Sequence, residues 1–254
     1  MPRTRENGFT LIELLVAMVI ASILGAAIMA TYTTQVRAKN TQEALTDMNQ
    51  TARAALELMT QEIRLAGLDP SENAGASIIT ADVGELIFSM DRGDAAVPPT
   101  HAPNGDCCDG NEVIRYHLSP AARDADNDGV NDNIAGGVEC NLGRETGAGN
   151  LPGNPCGAGP PGGLQPLARN VDVLNFVYID DTGTVIPVPV ADTRDIRTIQ
   201  VTIVARAGTE SGGFMYSFTN NDAYNNQQGT EILPAQGDAF RRLRLTTTIA
   251  CRNM

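Results

Sequence analysis

The sequence predicts an α+β protein in which one long N-terminal helix packs on an antiparallel β-sheet head. Three observations carry that prediction. No charged residue occurs from Leu14 to Val36. An apolar stripe at helical spacing then runs from Leu45 to Ala66, with no proline between Phe9 and Gly67. Beyond Pro70, short runs rich in Val, Ile and Thr alternate with turn residues.

The 254 residues fit one domain plus an extended helix. Hydrophobic residues at 42% and charged residues at 19% support a buried core and argue against wholesale disorder. With no Trp and 4% aromatics, that core rests on Val, Ile, Leu and Ala. The net charge of −12 repels phosphate backbones, which argues against nucleic acid as a partner. Most of the acidity reads as hydrated surface, and a hard cation is the sharper reading.

The first element is a short polar leader, residues 1–8, made positive by Arg3 and Arg5. The uncharged run behind it covers 23 positions, against the about 20 a helix needs to cross a bilayer core. Basic residues ahead of the run predict a cytoplasmic N-terminus and an exported bulk. A secretory signal peptide would have a shorter apolar region and a small-residue cleavage site on its far side. Glu13 is the anomaly, because a carboxylate near a bilayer centre costs ~2.5–3.5 kcal/mol on insertion scales and is usually functional. A wet position at the interface is the plain alternative.

Residues 7–20, Asn-Gly-Phe-Thr-Leu-Ile-Glu-Leu-Leu-Val-Ala-Met-Val-Ile, resemble the prepilin cleavage and methylation motif of type IV pilins. The resemblance implies that a prepilin peptidase cuts between Gly8 and Phe9 and N-methylates Phe9. It also implies that Glu13 pairs with the new amino group of a neighbouring subunit during assembly. The physics agrees, since a buried carboxylate is tolerable beside a cation and cleavage creates that cation.

The second element is the rest of the helix. Leu45, Met48, Ala52, Ala55, Leu56, Met59, Ile63 and Ala66 form one stripe, and the run stops at Ala66-Gly67-Leu68-Asp69-Pro70. At about 1.5 Å per residue the whole helix is a rod of about 87 Å. Residues 9–30 read as the transmembrane or filament-core half and 31–67 as the amphipathic half. A rod carrying a head on its second half is similar to the pilin architecture. The absence of proline from its first half points to a minor subunit or pseudopilin.

The third element is the head, residues 68–254. Strands are predicted at 85–90, 112–118, 171–179, 184–190, 198–205 and 241–250. The runs at 61–67, 170–178 and 246–253 resemble the PilW-like minor pilins and the related GspJ-like pseudopilins of type II secretion. That resemblance implies a place in a short tip complex that primes filament growth, with the major pilin, other minor pilins and a PilY-type tip adhesin as partners. Retention of Glu13 implies a position below the extreme tip.

The fourth element is a Gly/Pro/Cys-rich insertion at 91–165. Within it, Asp124-Ala-Asp-Asn-Asp-Gly-Val-Asn-Asp132 matches the first half of a calcium loop. Asp124, Asp126 and Asp128 are the expected side-chain ligands. Val130 is expected to give its carbonyl, and Asp132 to act directly or through water. Position twelve is Ala135 rather than a bidentate Glu, so Glu139 or an acid from the sheet would complete the shell. A solvated Asp/Asn turn is the alternative, and Mg²⁺ fits less well because it keeps its water.

The five cysteines, Cys107, Cys108, Cys140, Cys156 and Cys251, read as disulfide candidates in an exported chain. A Cys140–Cys156 pair is expected, with Cys107-Cys108 supplying a partner for Cys251 or for the loop. A zinc site using His101 is disfavoured because no CxxC pair is present. His101 and His117 have no recognisable nucleophile context, and phosphate-loop and nucleophile-elbow motifs are absent, so no enzyme is predicted. The reading is a single-pass inner-membrane protein with a periplasmic head that later joins a surface pilus. The rivals are a secretion pseudopilin of the same fold and a membrane-anchored adhesion module that uses the insertion.

Overall fold

The computed structural model describes residues 8–93, 103–147, 163–207 and 218–254. The chain divides into two compact units, one ending at Glu43 and one spanning Ala44–Met254.

The first unit is helical. Helix α1 spans Leu11–Ile63, and its residues up to Glu43 make up this unit. The helix is long and apolar enough to cross a membrane. Its large apolar side chains in this unit are exposed, from Leu11 at 76% to Met29 at 60%. Charge returns where the apolar run ends, and Lys39 meets Glu43 one turn on. Such an all-round apolar surface needs lipid or other helices around it.

The second unit begins with α1 residues 44–63. The predicted stripe is the buried face: Met48, Ala52, Ala55, Leu56, Met59, Ile63 and Ala66 are all buried, and Leu45 is partly so. The helix ends earlier than predicted, at Ile63, and tightens into i→i+3 bonds at Leu65 and Ala66. Gly67 follows at φ +75°, where a Cβ would meet Asn253 O at 2.9 Å. Asn253 Nδ2 donates to Arg64 O (3.2 Å), satisfying a carbonyl the helix end leaves open. Two of the runs behind the family resemblance, 61–67 and 246–253, therefore meet in one cap.

Two antiparallel sheets pack around that face. The first has β1 (Ile78–Ala81), β2 (Leu86–Ser89), β3 (Val113–Ser119), β4 (Asn141–Thr146) and β5 (Leu164–Ala168) in sequential order. The second has the order β11-β8-β6-β7, from β6 (Val171–Ile179), β7 (Val185–Ile186), β8 (Thr198–Arg206) and β11 (Arg242–Ala250). A ribbon of β9 (Tyr224–Asn225) and β10 (Glu231–Leu233) lies alongside. Met59 and Ile63 share one core with Phe88, Tyr116, Phe176 and Ile203. Each such side chain contributes about 1.5–3 kcal/mol by leaving water.

Five of the six predicted strands appear within a residue of their expected ends. The run at 184–190 shrinks to the two residues of β7, because Pro187 and Pro189 have no N–H to give a ladder. The span 91–165 contributes β3, β4 and the start of β5 to the first sheet rather than acting only as a loop. β4 was hidden by its own sequence: Asn141-Leu-Gly-Arg-Glu-Thr is polar, and Gly143 is required where a Cβ would meet Ser119 Cβ at 3.1 Å.

Candidate functional site

The N-terminal candidate lies at the start of α1. Thr10 N and Thr10 Oγ1 each donate to Glu13 Oε2 at 2.9 Å, and Glu13 N donates back to Thr10 Oγ1 at 3.3 Å. This is a capping box, legible in the sequence as Thr10-Leu-Ile-Glu13. It starts the helix and gives the anomalous carboxylate two donors of its own. Those donors are neutral, so they satisfy hydrogen bonding and leave the negative charge uncompensated. Gly8 is exposed, and a Cβ there would meet nothing within 4 Å. Among the described residues, the fold makes no demand for glycine at that position.

The second candidate is the acidic loop. Carboxylate oxygens of Asp124, Asp126 and Asp128 lie within 4.8 Å of one another. Asp124 is buried and the other two are exposed. Gly129 N donates to both oxygens of Asp124, at 3.3 and 3.2 Å, and Val130 N donates to Asp128 Oδ1 at 2.8 Å. Burial pushes the Asp124 carboxyl up to about 6 despite the Gly129 N–H, and Asp128, Asp126 and Asp132 push the same way.

The loop is held from behind. Gly129 sits at φ +78°, and a Cβ there would collide with Leu174 O. Leu174 N donates to Gly129 O and Asn131 N to Asp172 O, each at 2.8 Å, so the loop pairs with β6 at Val130–Val173. Farther along, the buried Arg206 donates to Gly137 O at 2.7 Å and to Val138 O. Arg206 and Arg242 flank the buried Asp172, with Arg242 Nε 2.7 Å from Asp172 Oδ2.

The donor set fits a hard divalent cation in part. Three convergent carboxylates and the obligatory glycine are in place, and Asp124 carries the repulsion a cation would relieve. Asp132 stands outside the cluster. Its Oδ2 accepts the Ala125 N–H at 2.8 Å, closing the loop on itself. Glu139 is exposed and is not part of the cluster either. Val130 is placed by the β6 pairing.

A second acidic group, Asp106, Asp109 and Glu112, went unread in the sequence. Like the first, it is supplied with backbone donors. Glu112 Oε1 accepts from Arg92 N (2.8 Å) and Gly93 N (3.0 Å), and Oε2 from Asp109 N (3.0 Å). Its spacing, Asp-Cys-Cys-Asp-Gly-Asn-Glu, follows no alternating pattern, which is why it did not stand out.

The cysteine expectation needs correction. Cys140 is a free, fully buried thiol at the head of β4, so the Cys140–Cys156 pair is not formed. Cys107 and Cys251 are free and buried too, so neither Cys107 nor Cys108 bridges to Cys251. Burial pushes the Cys107 and Cys251 thiols up to about 11 and Cys140 up to about 12, which makes them inert apolar filler. Cys108 is disulfide-bonded, with its partner outside the described residues. Cys156, His101 and leader residues 1–7 also lie outside them.

The described residues thus combine a long apolar helix that carries Glu13 near its start with an antiparallel head. Residues 3–29 match the prokaryotic N-terminal methylation motif. Among solved structures, the chain is similar to a type IV-like pilin from Thermus thermophilus, at 13% identity and a TM-score of 0.44, covering 82% of this chain and 97% of that one. A search of curated proteins gives no match. The methylation motif thus heads a long apolar helix that is followed by antiparallel sheets, an α+β arrangement of the kind the N-terminal resemblance implies. The motif implies processing by a peptidase and assembly with other pilins. Motif and apolar helix together fit inner-membrane anchoring with a head domain, followed by pilus assembly.

Proposed function

We propose that this chain is a minor pilin of a type IV pilus that helps prime filament assembly from a position below the extreme tip. The observation that supports this is Glu13: a carboxylate in an apolar helix long enough to span a membrane, given hydrogen bonds by Thr10 but no counter-charge among the described residues. Cleavage at Gly8-Phe9 frees an amine on a neighbouring subunit that can supply the charge. A subunit that receives such an amine has another subunit above it. The major pilin and other minor pilins are the partners, with a PilY-type adhesin beyond them. The strand and helix-end runs that resemble PilW-like proteins favour the pilus over a GspJ-like role in type II secretion.

Mass spectrometry of the mature protein tests the first step. N-methyl-Phe at residue 9 is expected, and an intact Met1 or a cut beyond the apolar run overturns the reading. Deleting the gene then separates pilus from secretion: loss of surface pili with normal secretion is expected, and the reverse outcome favours the pseudopilin.

The acidic loop supports a second reading, a Ca²⁺ site on Asp124, Asp126 and Asp128. The supporting observation is their convergence together with the raised Asp124 carboxyl. In the full chain held in detergent, EDTA should lower the melting temperature, Ca²⁺ should restore it, and Asp126→Asn should abolish the response. A melting curve indifferent to EDTA removes the claim.

A further inference from the structure

The head carries a groove that the pilin reading leaves unused. Its cavity of about 340 Å³ is floored by β6 at Phe176 and Val177 and walled by Val185, Val188 and Ile232. Val185 is 42% and Val188 40% exposed. Among the described residues of the head, Leu164 is the other large apolar side chain left so open. The acidic side chains on this lining are Asp128 and Glu231, and no Lys, Arg or His is among it. Asp128 brings with it the negative field of Asp124 and Asp126, which lie within 4.8 Å of it.

We propose that this groove docks an extended segment of a partner protein that presents a branched aliphatic side chain beside a lysine or arginine. The argument is charge complementarity on an apolar floor. The exposed valines favour an aliphatic group by burial, and a rim of one sign selects a cationic neighbour and rejects an acidic one. A second copy of this chain, at −12, is a poor occupant. Added-strand pairing past β7 is blocked on that side, because Pro187 and Pro189 have no N–H to donate. Side chains, not backbone, therefore carry the recognition.

The test uses the full chain in detergent with EDTA present, so that no cation competes at Asp128. The probe is a fluorescein-labelled pentapeptide of alternating lysine and valine, read by fluorescence anisotropy. Saturable binding is expected, weakened about tenfold or more by Val185→Ser and by Glu231→Gln, a loss easily resolved in Kd. Leu164→Ser, on the other sheet, should leave it unchanged. Both groove positions are exposed, so these variants keep the fold. The proposal is overturned if the peptide fails to saturate, if a glutamate–valine peptide binds as well, or if the groove variants bind like the parent.

Discussion

Helix α1 carries two glutamates in apolar surroundings, and they are handled in opposite ways. Glu62 is buried in the head and has its cation within the chain. Arg144 Nε reaches Oε1 at 3.1 Å and Oε2 at 2.9 Å, Arg144 Nη2 reaches Oε1 at 2.7 Å, and the Tyr116 hydroxyl donates to Oε2. Burial and the nearby Glu62 charge push the Tyr116 phenol well up, so it stays a donor. Among the described residues, Glu13 has only the neutral donors of Thr10 at hand. A carboxylate completed inside the chain holds the fold. On the function proposed above, one left without a cation among the described residues is completed by assembly.

The largest expected effect tests that contrast directly. Glu62→Gln leaves Arg144 buried without its anion, which should cost about 3–5 kcal/mol. Glu13→Gln should leave head unfolding within about 0.5 kcal/mol, as for exposed substitutions, yet remove the subunit from filaments. Denaturant unfolding of the two full-chain variants in detergent, with immunoblots of sheared pili, makes the comparison. If Glu13→Gln destabilises the head or enters filaments normally, the division of labour fails.

The acidic loop is the intermediate case, since Asp124 receives a backbone donor yet keeps its repulsion. Gly129→Ala should destabilise by more than about 1 kcal/mol, because alanine is strained at φ +78° and its Cβ collides with Leu174 O. If the loop binds Ca²⁺, the same variant should also lose its response to EDTA in thermal melts. A variant as stable as the parent would mean that the glycine serves neither the turn nor the packing.

What could be read from the sequence tracks what is local. The N-terminal motif, the apolar run and the helical stripe are contiguous or periodic, so the motif and the buried face from Met48 to Ile63 were legible. The alternating carboxylates of Asp124, Asp126 and Asp128 were legible for the same reason, as was the need for Gly129. Long-range pairings were not. Glu62 finds Arg144 across 82 positions of chain, and Asn253 caps the helix end across 189. β4 is polar and carries a glycine, so propensity gave no signal. The cysteine pairing failed for a similar reason: nothing local says that Cys140 faces the core.

The smallest effect concerns His117 on β3, which shows what happens when a nearby carboxylate is already taken. Glu145 Oε2 lies 3.7 Å from His117 Nε2, but Arg115 Nη1 also reaches Glu145, at 3.3 Å, and Arg115 pairs with Glu85 as well. His117 Nδ1 sits 2.8 Å from Leu118 O, which suits the neutral ring with its proton on that nitrogen. Burial first and Arg115 second hold the imidazole below its ordinary 6.5, outweighing Leu118 O and the two glutamates. A histidine whose folded pKa is lowered binds its proton more tightly when unfolded. Its contribution is therefore complete above about pH 6.5 and is lost as the pH falls below that value. Unfolding of the full chain and of His117→Gln is compared between about pH 7.5 and 5, around the ordinary histidine value of about 6.5. The stability difference, parent minus variant, should fall toward the acid side, and taking the difference removes the opposite contribution of the raised Asp124 carboxyl. If His117 instead gained a counter-ion from Glu145, as Glu62 does from Arg144, that difference would rise on acidification, and the sign of the slope decides between them.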